Sequence, residues 1–375
     1  LSGLRVAVVG AGPAGAVAAY ALARRGANVS LFERATWPRP KACGDGLTPQ
    51  SVALLDELGI ALPSRARFAA TYVTGPTGAA FRAPWPAHAV DGTTCERIDF
   101  DATLVAAAVA AGVRFYDRTH VTACAMGTLS IRGADARTRT EVFDAVALAE
   151  GATGALGTRA GLPPFRSRLG AYRGYVDVAH DLPPEYQVHY AAPFLPGYAW
   201  VFPVEPRRAN VGAVLASRGD VRARLANWLA VDPHARRALG ERPALQDGRG
   251  GVIVIGRARR YVDRTFAIGD AAGIADPLSA EGVSQAMRSA VLFADALHHS
   301  GGDVARAGAT YERAVTTFDA NNREALRMRA FFARFAGPMT ALAAKRPRLA
   351  RHVIAAGYFP KRDARWFLQT FAALR

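Results

Sequence analysis

The chain is poor in cysteine and equally poor in lysine. Its 375 residues hold three cysteines, Cys43, Cys95 and Cys124, and three lysines, Lys41, Lys345 and Lys361. Three scattered cysteines argue against a disulfide framework and a cysteine-based zinc site. No two histidines share metal-binding spacing on one helix face, so no metal is expected. The same scarcity favours a reducing, cytoplasmic setting. No apolar run reaches the roughly 18 residues of a membrane span. The longest candidate, from Ala102 to Val113, reads as a buried Ala-rich helix. Leu1 leads almost directly into a strand-like run, so no secretory leader is expected. A composition that is 50% hydrophobic and 21% charged excludes a disordered chain or a collagen-like rod.

Acidic residues are also in deficit. The formal net charge is +16, and almost all of the positive charge is arginine. From Asn321 to Arg375, twelve Lys and Arg stand against two acids, Glu324 and Asp363. Such a segment suits an anionic membrane surface, an acidic protein partner or a phosphorylated substrate. No nucleic-acid motif accompanies it, and no nucleic-acid partner is expected.

Leu4 to Val9 is a short β-branched run of the kind buried in parallel sheets. Gly10-x-Gly12-x-x-Gly15 follows, then an Ala-rich helix to Arg25, then a second strand from Asn28 to Glu33. In that context each position has a physical task. Gly10 makes the tight turn, Gly12 lets the backbone approach a pyrophosphate, and Gly15 lets helix and strand pack closely. The helix start at Pro13 and Ala14 directs amides and a positive dipole end at phosphates. Glu33 is placed to accept from ribose hydroxyls. A second Gly-rich strand-to-helix site lies far along the chain. Gly269-Asp270 ends a strand there, and Gly282-Val283 opens a long helix. Asp270 suits ribityl hydroxyls, and the two amides suit negative charge on a reduced flavin ring. Two such distant sites point to one long cofactor lying across both, FAD.

The remaining pattern is β-rich from Leu169 to Leu215, helical from Val221 to Leu239, and helical with Arg-rich faces from Val304 onward. Gly248 to Gly256 reads as a strand leading into the flavin unit.

On the Gly10–Gly15 turn with Glu33-Arg34, the Arg97-x-x-Phe-Asp101-x-x-Leu104 element and Gly269-Asp270, the chain resembles a large flavoprotein group. That group includes aromatic hydroxylases, halogenases and geranylgeranyl reductases. The resemblance implies an α/β fold. Its Rossmann-like FAD-binding domain is of the para-hydroxybenzoate hydroxylase and glutathione reductase kind, joined to a β-rich substrate domain and a helical C-terminal region. The assigned boundaries are 1–65, 92–160 and 250–300 for the FAD unit, 66–91 and 161–249 for the substrate unit, and 301–375 for the basic helical region. The resemblance further implies FAD contacts for Arg34, Arg97, Cys43 and Gly44, and a place near the adenine for Val121. The family's middle Asp-Gly element is altered here to Glu150-Gly151.

Two elements resemble the geranylgeranyl reductase branch. One is Pro38-x-x-x-x-Cys43-Gly44; the other is Tyr198-Ala-Trp200-Val-Phe202-Pro203 followed by Gly212. By spacing alone, Tyr198, Trp200 and Phe202 read as sheet core. With the cysteine loop beside them, they read as an aromatic wall over the flavin ring that binds an apolar substrate together with Pro277. Cys43 is either a small buried residue or a proton donor, with Lys41 as a neighbouring cation. Cys43, Tyr198 and Trp200 are the catalytic candidates.

The expected activity is hydride transfer from reduced flavin to C=C bonds of a prenyl or other apolar substrate. NAD(P)H or a ferredoxin-like protein is the expected external donor. A flavin-dependent monooxygenase acting on a natural-product intermediate, held by an acidic carrier protein, remains the alternative. The expected location is cytoplasmic, with peripheral attachment to an anionic membrane through the basic C-terminal region left open.

Overall fold

A computed structural model of the chain describes residues 1–63, 67–86, 89–216 and 219–358. Strands Arg5–Val9 and Ala145–Leu148 consist almost wholly of small and β-branched residues, and both are buried on two faces. They lie at the centre of a six-stranded sheet. Its order is Tyr261–Val262, Thr265–Ala267, Ala145–Leu148, Arg5–Val9, Asn28–Phe32, Arg114–Tyr116. All neighbours pair in parallel except the first two, which form a hairpin.

Alternate side chains of a strand point to opposite faces, and here that alternation sorts two cores. Val6 and Val8 pack beneath the helices Pro13–Ala23, Arg97–Ala110 and Val283–His299. Ala7 and Val9 pack against an antiparallel three-stranded sheet, His120–Ala125, Thr128–Arg132 and Thr138–Val142. Helix Pro13–Ala23 touches both other helices. Its alanines leave room for backbones on several sides.

A seven-stranded sheet forms the second unit. Its order is Gln246–Ile255, Ser167–Asp177, Arg208–Leu215, Tyr198–Glu205, Tyr186–His189, Ala70–Thr74, Ala80–Pro84. Ala199, Val201, Val211 and Ala213 face the helices Val221–Val231 and Pro233–Leu239. Tyr198, Trp200 and Phe202 face the other way, toward the six-stranded unit. The helix Val304–Lys345 packs first on the six-stranded unit and then, with Pro347–Tyr358, on the far end of the seven-stranded sheet. Among the described residues no helix is long and apolar enough to cross a membrane. Residues 359–375 of the expected basic region lie outside those described.

Two expectations change. The segment Val221–Leu239 is two helices, broken at Asp232-Pro233. The proline has no N–H and disfavours helical geometry in the residue before it. The Asp232 carboxylate then caps the second helix, accepting from the amides of His234 and Ala235 at 2.9 and 3.0 Å. The strand Gln246–Ile255 pairs along Ser167–Asp177 in the seven-stranded sheet. It reaches the six-stranded unit through the bridge from Ile255 to Ile274.

Candidate active site

A cavity of about 1100 Å³ runs between the two sheets, at or slightly above the upper end of the ~300–1,000 Å³ usual for small-molecule sites. It begins at the first glycine turn. Gly10 has φ +106°, and a Cβ there would collide with the Ala149 carbonyl, so only glycine lets the strand turn into helix Pro13–Ala23. Gly12 opens the floor of the turn. A Cβ on it would lie 3.7 Å from Nη2 of Arg39 and 3.8 Å from Nη2 of Arg97. Two guanidiniums therefore converge over the helix start.

Buried carboxylates aim both arginines. Asp101 is fully buried and accepts two hydrogen bonds from Arg97, Nε to Oδ1 and Nη2 to Oδ2, each 2.8 Å. Arg39 Nη1 donates to the same carboxylate at 2.8 Å, and its Nε donates to Glu33 at 3.2 Å. Glu33 also accepts from the amides of Ala11 and Ala35 at 3.2 and 3.0 Å. Burial works against the Arg97 charge, but Asp101 outweighs it and holds the guanidinium's pKa above its ordinary value.

At the second turn, Asp270 lies next to Gly282, the residue that precedes helix Val283–His299. Burial pushes the Asp270 carboxyl up, against the pull of Lys41 and Arg97. The adjacent Glu281 also lines the cavity. Burial raises its carboxyl to about 7, although Ser284 donates to it from both its amide and its hydroxyl, at 2.7 and 2.8 Å.

The cysteine loop forms the opposite wall. Cys43 is half-buried on the cavity, and burial pushes its thiol up. The neighbouring cation that opposes this shift is Arg97, not the expected Lys41. Behind the loop, Asp45 is buried in a left-handed conformation, φ +59°. Its Oδ2 accepts from the Tyr175 hydroxyl at 2.6 Å and from Asn210 Nδ2 at 2.7 Å. Asn210 Nδ2 also donates to the Cys43 carbonyl at 2.9 Å, and its Oδ1 accepts from Trp200 Nε1 at 2.9 Å. One buried amide thus ties the cysteine loop to the aromatic strand.

Tyr198, Trp200 and Phe202 share one strand face, with successive ring centroids 6.1 Å apart. Tyr186 extends the row, 4.5 Å from Phe202. The Tyr198 hydroxyl donates to the Ser279 carbonyl, linking the wall to the second glycine turn. Val73, Val188, Leu278, Val353 and Ile354 complete an apolar end.

Most residues singled out from sequence therefore line one cavity: Gly10, Gly12, Pro13, Ala14, Glu33, Arg34, Cys43, Gly44, Arg97, Val121, Tyr198, Trp200, Phe202, Asp270, Gly282 and Val283. Gly15 and Gly269 do not line it. They sit behind, packed against Gly10 and Ala14. Pro277 is buried and does not itself line the cavity. The Asp276 carboxylate accepts from the amides of Leu278 and Ser279 at 2.8 and 2.9 Å, and those residues reach the cavity in its place. Glu150, the altered family position, caps helix Ala155–Arg159 by accepting from Leu156 and Gly157. Arg39, Tyr175, Asn210 and Glu281 had carried no motif of their own.

Residues 3–313 match the family described as FAD binding domain. A menaquinone reductase of Mycolicibacterium smegmatis is 31% identical over 322 residues, covering 79% of this chain and 76% of that protein. Digeranylgeranylglycerophospholipid reductase 1 of Methanopyrus kandleri is 32% identical over 299 residues, 75% of this chain and 77% of the relative. In fold the chain is similar to a geranylgeranyl bacteriochlorophyll reductase-like protein of Thermoplasma acidophilum. The TM-score is 0.80 at 20% identity, over 98% of this chain and 96% of that one. It is also similar to a flavin-dependent brominase, with TM-score 0.79 at 20% identity over 98% and 97%.

The cavity fits FAD on its own chemistry. It offers a side-chain-free helix start under two guanidiniums for a diphosphate, and a second helix start beside an acid. The chain belongs to this FAD-binding family and is an FAD-dependent oxidoreductase.

Proposed function

We propose that the chain reduces C=C bonds in the isoprenoid part of a lipid or quinone, or in a similarly apolar substrate. The observation that carries this reading is the meeting of a thiol and an aromatic wall on one cavity, with Cys43 and Trp200 joined through Asn210. The names of its relatives, reductases of menaquinone and of digeranylgeranylglycerophospholipid, support the same class of substrate. Bound FAD supplies the redox chemistry, a hydride added to one alkene carbon. Gly10, Gly12, Pro13, Ala14, Glu33, Arg34, Arg97 and Val121 hold its nucleotide end. Asp270, Gly282 and Val283 hold the other end, with Cys43 and Gly44 beside it. Reducing equivalents come from NAD(P)H or a ferredoxin-like protein.

The protein's own contribution is orientation, exclusion of water and a proton. Tyr198, Trp200 and Phe202 give a flat apolar surface that aligns an extended chain and keeps water from the reacting carbon. Cys43 Sγ holds the proton for the second alkene carbon. Burial keeps the thiol protonated at neutral pH, and the Arg97 guanidinium supports the thiolate left behind until solvent restores it.

The test is anaerobic turnover of a prenyl-chain substrate by the photoreduced protein. Saturated product without O₂ is the expected result. Cys43→Ala should slow it by ~10²–10³-fold, within the range for loss of a general acid, at unchanged flavin content. A strict requirement for O₂ would sink the reductase reading and favour a monooxygenase.

A further inference from the structure

Through Ala325, Met328 and Phe332 the helix Val304–Lys345 packs on the cluster that holds Val73, Tyr186 and Leu278 at the apolar end of the cavity, and its outer face is unusual. From Ala325 to Tyr358 the sequence contains no Asp or Glu. The outward residues of the helix beyond Asn322 include Leu326, Arg327, Ala330, Arg334, Phe335 and Pro338. All are apolar or cationic. The one nearby acid, Glu324, is paired to Arg327 at 2.5 Å. Leu326 is 37% exposed and Phe335 43%, two of the few large apolar side chains so exposed among the described residues.

A kink presents Phe335. Pro338 lacks the N–H that the Arg334 carbonyl would accept, and its ring crowds that turn. The helix breaks at Phe335, at φ −122° and ψ 15°. From there a row of rings leads inward. Phe335 lies 4.9 Å from Phe331, Phe331 lies 6.1 Å from Phe332, and Phe332 stacks on Tyr190 at 5.9 Å with only 7° between planes. Tyr190 lines the cavity and lies 6.0 Å from Tyr198.

Exposed Leu and Phe among arginines, with no unpaired acid, is the composition of a helix that lies in a lipid interface. We propose that this face docks on an anionic bilayer, which sets the apolar end of the cavity beside the lipid that holds an apolar substrate. This deepens the reductase reading and rests on it for the substrate alone. Residues 359–375 are a poorer occupant, because their Lys361, Arg362, Arg365 and Arg375 against Asp363 repeat the sign of the surface. An acidic carrier protein matches the charge but leaves the exposed Leu326 and Phe335 without a purpose.

The experiment is flotation of the flavin-loaded protein with vesicles of phosphatidylcholine, with and without phosphatidylglycerol, at 0.1 M salt. Binding to the anionic vesicles alone is expected. Arg327→Gln with Arg334→Gln should weaken it by about thirtyfold, two surface charges' worth. Phe335→Ser should weaken it too, and should leave turnover of a short, water-soluble alkene unchanged. Protein that keeps its flavin but stays unbound on anionic vesicles overturns the proposal. So does binding that appears only after residues 359–375 are deleted, and so does a double variant that loses an acidic carrier protein but keeps the vesicles. Flotation needs no catalysis, so vesicle binding without alkene reduction would leave the docking face standing and remove the reductase reading.

Discussion

Replacing Asn210 with leucine tests the link between the two walls of the cavity. Leucine has nearly the same size, yet neither donates nor accepts. Three groups lose a partner at once: the Trp200 indole N–H, the Cys43 carbonyl and the Asp45 carboxylate. Each buried group that loses its partner costs ~1–3 kcal/mol, with Asp45 at the low end of that range because it keeps two others. The three share one network, so their costs do not add fully, and a loss of ~3–6 kcal/mol follows. At roughly 1.3 °C per kcal/mol for a chain of this size, the melting point should fall by about 4–8 °C. Asp45 retains the Tyr175 hydroxyl and the Arg97 amide, so the fold should survive while the cysteine loop loosens. The assay is thermal unfolding of the flavin-loaded protein, followed by flavin fluorescence, with alkene turnover measured on the same samples at 25 °C. Reduced turnover at normal flavin content is the expected companion. A melting point within about 2 °C of the parent, with turnover intact, would refute the claim that this amide holds the loop.

Arg39→Ala removes a guanidinium that stands over Gly12 between Glu33 and Asp101. Flavin affinity should fall ~10–100-fold, the loss of one charge-assisted contact, and equilibrium dialysis showing no change would return Arg39 to a purely structural ion pair. Trp200→Ala should raise KM for a long prenyl substrate at least tenfold and change it little for a short one; equal effects on both would place Trp200 in the sheet core alone. His189 is buried beside Thr74 Oγ1 at 2.9 Å, and burial pulls its pKa from 6.5 to about 4. As pH falls, the unfolded chain therefore takes up the proton first. Its contribution is full above pH 6.5 and is lost as pH drops through about 4, ~3 kcal/mol in all. His189→Gln should flatten the acid limb of urea-unfolding stability across that window, and an unaltered slope would reject the assignment.

What was legible in the sequence is what one turn or one strand carries by itself. Gly10, Gly12 and Gly15 announce their geometry because a strand, a turn and a helix follow within a few residues. Tyr198, Trp200 and Phe202 share a face because a strand alternates. The polar machinery behind them is different in kind. Arg39 meets Asp101 across 62 residues, and Asn210 meets Asp45 across 165. No local spacing marks such pairs, since each needs two sheets to meet before it exists. Asp45 shows this most clearly. Read locally, the run Cys43-Gly44-Asp45-Gly46 is a loop whose aspartate belongs in water. In the fold that aspartate is 1% exposed, and burying a carboxylate without partners would cost far more than a loop can supply. It stays because Tyr175, Asn210 and the Arg97 amide arrive from three other elements to receive it. The motif therefore names the thiol, but Asn210, on the strand Arg208–Leu215, holds the backbone carbonyl of the same residue. A chain that kept the loop and lost Asn210 would still look like a reductase on paper while having lost the bonds that tie the cysteine loop to the aromatic strand.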